Sequence, residues 1–440
     1  MVPDAPSTSR RSVLRSGLLA AVGLAGCVDR QGNGTPSEGD NEPPTGDAVR
    51  WTYQTGGSVR HRPTLQDGFV YAGGGTNDRA TSDRDHVRPE TSENVYALSA
   101  DDGSEQWRYE APAGVASAPV AREGVFVVVG WSAGTHGRGQ RLVRIDDGSE
   151  TWTTEARDSF LHLLYNTGET VYLGTSDDEL GTEGEQLIAV RTSGGGQRWA
   201  VEAGDTTDAA VFSDTLYAVE GSRRTTAIAV NDGSERWHRD MRPATDEPRV
   251  FGDAMYLRSE QQNENGNYPV VAVNAGDGSD RWRFSVPVDE PFVPTGAVES
   301  GDTVYVTEYD GWLFGVDRAG GSENWRYSTD GDTRDQPVVV DDTVYLASNT
   351  GSVHAVDAAT GDRQWKRTVP GNARLAAGNP QGVVVRGGKD EGEEYLRAYT
   401  PDGTERWSFS YAGNLTKPAV DGTRAIVGTG SGYVAALAEQ

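Results

Sequence analysis

Short apolar runs, separated by turn-forming residues, follow one another through most of the chain. Typical runs occupy residues 125–128, 270–273 and 343–346, and Gly, Asp or Asn residues lie close to their ends. Runs of this length that are rich in β-branched residues and bounded by turn signals predict β-strands. No segment beyond residue 27 keeps a 3.6-residue apolar period, so we expect minimal helix.

Tryptophan recurs at a similar spacing throughout this region. From Trp107 onward the intervals are 38–47 residues, and each of these tryptophans follows a glycine by four positions. Asp precedes that glycine in five of the eight cases, and Asp-Gly favours a tight hairpin because glycine accepts a positive φ. The repeated tryptophans are Trp51, Trp107, Trp152, Trp199, Trp237, Trp282, Trp325, Trp365 and Trp407.

Each interval holds three short apolar runs, and the tryptophan begins a fourth. Four short strands per repeat of this length are typical of a β-propeller blade. A single twisted sheet leaves its faces uncovered, so blades become stable by packing face to face around an axis. We expect the tryptophans to fill the spaces between neighbouring blades. The pattern therefore predicts an all-β fold, a single closed β-propeller of four-stranded blades.

The two ends of the repeat region indicate how the ring closes. Trp51 has no strand triplet before it, and the last triplet, which ends near residue 437, has no tryptophan after it. We expect the N-terminal strand to complete the last blade and remove an open edge. Nine units can be counted, although propellers usually have four to eight blades. An irregular insertion around residues 161–190, or in the unit before Trp237, would reduce the count to eight.

Residues 355–365 read Ala-Val-Asp-Ala-Ala-Thr-Gly-Asp-Arg-Gln-Trp. This segment resembles the tryptophan-docking pattern Ala-x-Asp-x-x-Thr-Gly-x-x-x-Trp of the quinoprotein-type, or PQQ-like, propeller repeats. The other units are degenerate copies, and the resemblance covers residues 51–437. It implies a propeller, with eight blades as the family norm, but no cofactor, because this repeat serves enzymes and non-enzymes alike. As a scaffold the chain is also similar to the propeller lipoproteins of bacterial outer-membrane assembly.

The first 27 residues predict an export signal with a lipid-attachment site. Arg10 and Arg11 form a twin-arginine pair before an apolar run at residues 17–26, which is too short for a permanent membrane span. Leu-Ala-Gly-Cys at residues 24–27 resembles a lipobox that would be acylated at Cys27; an uncleaved anchor helix is the alternative. Either form places the protein on the outer face of the cell membrane.

Three regions follow from this division of the chain. Residues 1–27 are the predicted signal, residues 28–48, rich in Gly, Pro and acidic residues, a flexible tether, and residues 49–440 the propeller. Asn33 in the tether and Asn414 in the propeller stand in Asn-x-Thr triplets and are candidate glycosylation sites.

Acidic residues outnumber basic ones by 66 to 40, giving a formal net charge of −26. Nucleic-acid binding is not expected, because phosphate contacts need basic patches. The acid is spread along the chain and lysine is almost absent. This composition resembles that of proteins from extremely halophilic archaea, in which salt screens the self-repulsion.

No catalytic residue or metal-ligand set is predicted. The six histidines show no metal-binding spacing and Gly-x-Ser-x-Gly is absent. Cys27 is the only cysteine, so the vicinal disulfide of the quinoprotein alcohol dehydrogenases cannot form. We expect no cofactor; the alternative is a sugar or alcohol dehydrogenase that uses PQQ with calcium.

Long polar connections indicate a binding face. They occupy residues 73–93, 131–140, 176–185, 259–269 and 387–394, always between the second and third strands of a unit, and so emerge at one end of a propeller. Neutral solvated loops are the alternative. Candidate ligand-binding residues at the channel mouth on this face are Arg60, His61, Arg62, Asp208, Asp246, Arg334, Asp335, Arg374 and Lys417.

Arginines interspersed with carboxylates suit a carboxylate, sugar or peptide ligand; a mutually neutralising network is the alternative. The sequence therefore predicts a non-catalytic scaffold, anchored by lipid, with a protein, peptide or glycan partner. A polysaccharide-binding or polysaccharide-cleaving surface protein remains a further alternative.

Overall fold

The computed structural model describes residues 42–74, 93–111, 114–130, 139–157, 159–176, 184–221, 223–245, 247–286, 292–388, 392–422 and 424–439. These residues form 36 β-strands and no helix, which confirms the expected all-β fold. Within the same ranges nothing resembles an apolar helix of bilayer-spanning length.

The strands form nine antiparallel sheets of four strands each, which we number as blades 1 to 9. The first strand of the described residues is β1 (Val49–Gln54). Blade 1 contains β2 (Thr64–Gln66), β3 (Phe69–Gly74), β4 (Glu93–Ser99) and β5 (Glu105–Ala111); blade 2 contains β6 (Val120–Ala121), β7 (Val125–Val129), β8 (Arg141–Asp146) and β9 (Ser149–Thr153); blade 3 contains β10 (Phe160–Asn166), β11 (Thr170–Ser176), β12 (Gln186–Arg191) and β13 (Gln197–Glu202). Blade 4 contains β14 (Thr206–Phe212), β15 (Thr215–Glu220), β16 (Arg224–Ala229) and β17 (Glu235–Arg239); blade 5 contains β18 (Met241–Pro243), β19 (Ala254–Ser259), β20 (Val270–Asn274) and β21 (Asp280–Phe284); blade 6 contains β22 (Pro294–Ser300), β23 (Thr303–Glu308), β24 (Trp312–Asp317) and β25 (Glu323–Ser328). Blade 7 contains β26 (Val338–Val340), β27 (Thr343–Ala347), β28 (Ser352–Asp357) and β29 (Arg363–Thr368); blade 8 contains β30 (Arg374–Asn379), β31 (Gly382–Gly388), β32 (Glu393–Tyr399) and β33 (Glu405–Ala412); blade 9 contains β34 (Ala419–Asp421), β35 (Arg424–Gly428) and β36 (Tyr433–Leu437), together with β1.

The structure confirms the nine units counted in the sequence, since nine four-stranded sheets are present, and the chain departs from the eight blades of the family norm. Neither of the two units considered as an irregular insertion is one, since β10–β13 and β14–β17 each form a complete sheet with its own tryptophan. Each of these sheets buries both faces against its neighbours, as a full blade must.

The N-terminal strand closes the ring, as expected. Strand β1 pairs with β36, so the outer strand of blade 9 comes from the start of the chain. The first strands of blades 1 and 9 are also in contact. A closed ring removes the two exposed sheet faces that an open stack of blades would leave.

The core consists of separate layers between blades. In the part of the chain that the structure describes, nine clusters of buried apolar side chains each join two consecutive blades, and one of them joins blade 9 to blade 1. Stability therefore comes from nearest-neighbour packing around the ring.

Each repeated tryptophan docks onto the following blade. Trp282 of blade 5 is 8% exposed, and its Nε1–H donates to the carbonyl of Arg318 in blade 6 at 2.8 Å. Gly321 in the β24–β25 turn has a φ of +71°, and a Cβ there would lie 2.7 Å from Cδ2 of Trp282. The glycine four residues before the next tryptophan thus serves the turn and also leaves room for the preceding indole. Equivalent hydrogen bonds join Trp51 to Ala100, Trp152 to Thr192, Trp199 to Val230, Trp237 to Ala275 and Trp365 to Pro401.

The fourth strands begin before their tryptophans, which corrects the expectation that the tryptophan starts the strand. In blade 1, Glu105 pairs with Leu98 and Trp107 pairs with Ala97, so one extra residue forms a β-bulge between them. The bulge adds local twist ahead of the indole. The irregularity recurs between the third and fourth strands of all nine described blades, and in blade 9 it lies between Val49 and Trp51 of β1.

The two ends of the ring differ in the segments that form them. At the end that we call the turn end lie the turns between first and second strands and between third and fourth strands. At the opposite end, the loop end, lie the hairpins between second and third strands and the connections between blades. Hydrogen bonds hold these two sets together, for example from Thr333 N–H to Tyr309 O and from Asn349 N–H to Asp332 O, both at 2.9 Å.

Candidate functional site

Two arginines face each other across neighbouring strands at the loop end of blade 5. Arg242 of β18 and Arg258 of β19 are directly opposite in the antiparallel register. Like charges in this position repel each other. Glu260 partly neutralises them, since its Oε1 lies 3.2 Å from Arg242 Nε and 3.3 Å from Arg258 Nη2. Two guanidinium groups thus share one carboxylate oxygen.

A cavity of about 350 Å³ lies beside this pair. The residues that line it come from blades 4, 5 and 6 and from the connection to blade 7: Thr207, Asp208, Val219, Arg242, Pro243, Ala244, Thr245, Arg258, Pro294, Thr295 and Arg334. Its charged lining consists of three arginines and one carboxylate. The surface of this cavity therefore reverses the charge balance of the chain, in which acidic residues outnumber basic ones.

A second arginine pair lies at the loop end of blade 8. Arg374 of β30 is opposite Arg386 of β31, and both line a cavity of about 200 Å³. Arg374 Nη1 lies 3.1 Å from Asp335 Oδ1. Arg386 makes no hydrogen bond or ion pair with any residue that the structure describes. Glu394 also lines this cavity, but its carboxylate already accepts the N–H of Leu415 at 2.6 Å.

Residues 334 and 335 link the two cavities. Arg334, which lines the first cavity, lies over the ring of Tyr309 with its Cζ 5.6 Å from the centroid, and it donates to the tyrosine hydroxyl at 3.2 Å. Its nearest carboxylate oxygen, Asp332 Oδ2, is 3.7 Å from Nη2. The next residue, Asp335, binds Arg374 at the second cavity. We call Arg242, Arg258, Arg334, Arg374 and Arg386 the arginine arc.

A buried carboxyl group lies under the Tyr309 hairpin. Glu308, at the end of β23, is 0% exposed, and its carboxylate accepts N–H groups of Val293 at 3.4 Å and Asp310 at 2.9 Å. Burial raises the pKa of Glu308 to about 7, because the backbone donors only partly offset the loss of solvation. The Glu308 carbonyl accepts the hydroxyl of Thr333 at 2.5 Å. Glu308 thus fixes both the hairpin and the connection that carries Arg334.

Blades 6 and 7 are joined by a second polar network. Asp330 accepts Lys366 Nζ at 2.8 Å, Ser352 Oγ at 2.9 Å and His354 Nε2 at 3.2 Å. Burial alone would raise the pKa of Asp330, but the bonds from Lys366 and Ser352 outweigh it and hold the pKa at about 2. Burial lowers the pKa of His354, whose Nδ1 accepts the hydroxyl of Tyr327 at 2.8 Å. Because Ser352 binds the carboxylate and not the imidazole, the network lacks the nucleophile–base contact of a catalytic triad.

The structure brings together four of the residues predicted from sequence. Asp208 and Arg334 line the first cavity, and Asp335 and Arg374 form an ion pair beside the second. Asp208 and Arg374 lie inside β14 and β30, not ahead of the first strands as expected, because strand pairing extends further toward the loop end.

The other predicted residues lie elsewhere or outside the described residues. Arg60, His61 and Arg62 precede blade 1 and Lys417 precedes blade 9, and none of them lines these two cavities. Burial, followed by the charge of Arg60, lowers the pKa of His61. Asn414 is exposed. The predicted residues outside the described ranges are Arg10, Arg11, Cys27, Asn33 and Asp246, together with parts of the long connections.

Sequence reasoning missed Arg242, Arg258, Arg386 and Glu308. A signal existed for two of them: Arg258 and Arg386 each follow four buried residues of a second strand. A charged side chain that closes an apolar strand marks the point where the strand reaches the surface. The pairing across strands could not be inferred, because it depends on the register of short first strands.

The charged groups at this end do not fit a calcium ion with PQQ. In the ranges that the structure describes, no group of three or more His, Cys, Asp or Glu side chains is arranged to hold a metal. The first cavity offers a single carboxylate and no aromatic ring for stacking, whereas calcium takes six to eight oxygen ligands. Guanidinium and hydroxyl groups suit an anion.

Comparison with known proteins gives a partial family match. Residues 266–390 match the family model described as outer membrane protein assembly factor BamB. Over 74 residues the chain is 32% identical to serine/threonine-protein kinase AfsK of Streptomyces griseus; this segment is 16% of the chain and spans 9% of the length of that kinase.

Solved structures show the fold. BamB from Moraxella catarrhalis is similar with a TM-score of 0.52 and 17% identity, over 74% of this chain and 96% of that one. The quinohemoprotein alcohol dehydrogenase ADHIIG from Pseudomonas putida HK5 has a TM-score of 0.44 and 14% identity, over 80% of this chain and 71% of that one, and is too distant to bear on activity. The chain is a β-propeller, and its residues 266–390 match the BamB-type, PQQ-like repeat family.

Proposed function

We propose that the protein is an exported, lipid-anchored, non-catalytic binding protein on the outer face of the cell membrane, and that its loop end binds a protein partner. The observation that carries this proposal is the pair of polar, arginine-lined cavities at the loop end. A rigid ring that presents different side chains from equivalent positions is suited to binding a partner.

The partial family match supports a scaffold role. BamB is described as an assembly factor, and the matching residues 266–390 include three members of the arginine arc, Arg334, Arg374 and Arg386. The similarity therefore includes part of the proposed binding surface.

The start of the described chain supports an orientation for the loop end. The Glu42 carbonyl lies 3.5 Å from the hydroxyl of Tyr411, which also bonds to Ser431 in the β35–β36 hairpin. Residue 42 is therefore at the loop end. Residues 28–41 separate it from Cys27 and reach at most about 50 Å when fully extended. Under this proposal, acylated Cys27 keeps the loop end close to the membrane, and Cys27→Ser releases the protein from the membrane fraction.

Photo-crosslinking tests which end binds the partner. Tyr309 at the loop end is 39% exposed and Phe212 at the turn end is 46% exposed, so they form a matched pair of sites for a benzoyl-phenylalanine probe. In native membranes at high salt, we expect the probe at position 309 to capture one protein and the probe at position 212 to capture none. Equal capture at both positions, or none at position 309, contradicts the proposal.

The dehydrogenase alternative is tested with the purified protein. PQQ and calcium together are expected to leave the thermal unfolding midpoint unchanged and to support no dye reduction with sugars or alcohols. A raised midpoint with dye reduction would replace the binding proposal by an enzymatic one. If the probe at position 309 captures an anionic or neutral polysaccharide and no protein, the polysaccharide-binding alternative is favoured.

A further inference from the structure

We propose that the arginine arc is a receptor for carboxylate groups and that its ligand is an acidic peptide segment. This inference deepens the proposed function and rests on it, because the same loop end would hold the partner. It names the chemistry of the partner: a stretch of Asp and Glu residues.

Some arginines on the outer strands are already saturated by carboxylates, and Arg108 and Arg326 are two of them. Arg108 donates through Nε and Nη2 to the two oxygens of Glu105, each at 2.8 Å. Arg326 binds Glu323 in the same way, with both distances 2.7 Å. A guanidinium fork matches the two oxygens of one carboxylate, so these pairs leave little capacity for a further ligand.

The arc arginines lack such partners. Arg242 and Arg258 share one oxygen of Glu260, and Arg258 also donates through Nη1 to the Pro294 carbonyl at 3.0 Å. Arg374 makes a single contact to Asp335. Arg386 has no partner among the described residues. Because a guanidinium group carries five N–H donors, most donors of the arc are open to a carboxylate that enters the cavities.

The register adds an independent argument. Arginine lies directly opposite arginine at the equivalent place in two blades, Arg242 opposite Arg258 and Arg374 opposite Arg386. Such pairs destabilise a sheet. An anionic ligand that binds between the two guanidinium groups would convert this repulsion into attraction, so the pairs are poised for a ligand that carries negative charge.

An acidic peptide fits better than an acidic glycan. The first cavity has no aromatic lining on which a sugar ring could stack, and Tyr395 in the second is 1% exposed. The exposed ring of Tyr309 carries Arg334 on one face. The arc extends over blades 5 to 8, so several carboxylates along one extended chain can reach different arginines.

Fluorescence anisotropy with the purified protein tests the inference. The probes are fluorescein-labelled octaglutamate and octaglutamine, at one fixed high KCl concentration. We expect octaglutamate to bind and octaglutamine to bind at least about tenfold more weakly, a factor that corresponds to 1.4 kcal/mol. Arg242→Gln combined with Arg386→Gln is expected to weaken octaglutamate binding at least tenfold.

The matched control combines Arg108→Gln with Arg326→Gln, which changes the net charge equally but alters saturated pairs. Unchanged octaglutamate binding by this control, with unchanged thermal midpoints, supports the arc as the site. Equal loss in both double variants, or equal binding of the two peptides, overturns the inference. Binding of polygalacturonate without octaglutamate overturns it in favour of an anionic glycan. If position 309 captures a partner but octaglutamate does not bind, the inference fails and the proposed function stands.

Discussion

The turn end and the loop end of the ring are built from the same strands but differ in regularity. At the turn end, the β24–β25 turn places Gly321 against Trp282, and the β28–β29 turn places Gly361 against Trp325 in the same way. The same arrangement recurs in eight of the nine interfaces, with a positive φ at each glycine. Blade 9 is the exception, because its fourth strand is β1, which does not follow β36 through a turn.

At the loop end, equivalent positions hold different side chains. The register position that holds the arginine pair in blades 5 and 8 holds Asp208 opposite Val219 in blade 4 and Gly296 opposite Thr307 in blade 6. Close packing between blades requires the same contact between glycine and indole at the turn end of these interfaces. It does not determine which side chains occupy the equivalent positions at the loop end. In this chain, positions that repeat from blade to blade therefore serve the packing of the fold. Positions that differ between blades are candidates for binding.

The largest expected effect follows from removing a repeated indole. Trp282→Ala leaves a cavity between blades 5 and 6 and removes the bond to the Arg318 carbonyl, so the free energy of unfolding should fall by about 3–5 kcal/mol. Denaturant titration at constant high salt measures this. Trp312→Ala in blade 6 is the control, because Trp312 is only partly buried. If Trp312→Ala lowers the free energy of unfolding as much as Trp282→Ala does, the repeated tryptophan position contributes no more to stability than another tryptophan of the ring.

The glycine of the turn should matter next. Gly321→Ala forces a Cβ to within 2.7 Å of the Trp282 indole and should cost about 1–3 kcal/mol for overpacking, in addition to the strain of its positive φ. Gly301→Ala, in another turn of blade 6, has a φ of +61° and nothing within 4 Å of the added Cβ. The difference between the two variants isolates the indole contact. Equal thermal unfolding midpoints for the two variants would show that the contact between Gly321 and the indole has no effect on stability.

Much of the fold could be predicted from the sequence, because the turn end repeats. The interval between tryptophans, the glycine four positions earlier and the apolar runs report local strand length and turn geometry. The closing strand β1 followed from the missing partner of Trp51. The number of blades could not be predicted as firmly. Rings with different numbers of wedge-shaped blades can close with the same packing between neighbours, so the family norm of eight sets no physical limit.

The site could be predicted only in part. Asp208, Arg334, Asp335 and Arg374 were found because they lie near the connections between blades. Their partners Arg242, Arg258 and Arg386 and the buried Glu308 depend on cross-strand register and on burial, neither of which has a sequence period at the loop end. Because the loop end does not repeat along the sequence, one unit does not predict the contacts of the next, and these contacts become visible only in the three-dimensional structure.

Glu308 predicts a pH dependence that belongs to the loop end. Its pKa is raised from 4.5 to about 7 in the folded protein, so the folded state binds more protons than the unfolded state between these values. Its contribution to stability is fully present below about pH 4.5 and is lost as pH rises through about 7. A pKa difference of one corresponds to about 1.4 kcal/mol, so Glu308→Gln should be more stable than the wild type by on the order of a few kcal/mol at pH 8.

The control for this measurement is Asp302→Asn, at the exposed turn end of the same blade. Its thermal midpoint should follow the pH profile of the wild type. The lowered pKa values of His61 and His354 act in the opposite direction below about pH 6.5, since stability there rises with pH. For that reason the informative quantity is the difference between Glu308→Gln and wild type. A difference that does not grow between about pH 6 and 8 would show that Glu308 ionises freely.

The smallest expected effect has the opposite sign at the two ends. Arg236 at the turn end binds both oxygens of Asp214, at 3.0 and 2.6 Å, so Arg236→Gln should lower the free energy of unfolding by up to about 1 kcal/mol. Arg386 has no partner among the described residues and lies opposite Arg374. Arg386→Gln should therefore leave stability unchanged or raise it by up to about 0.5 kcal/mol. Denaturant midpoints of the two variants, measured side by side, decide the matter. If Arg386→Gln lowers the free energy of unfolding more than Arg236→Gln does, the loop-end arginines stabilise the fold. The idea that the arginine pair destabilises the free protein and awaits a ligand would then be wrong.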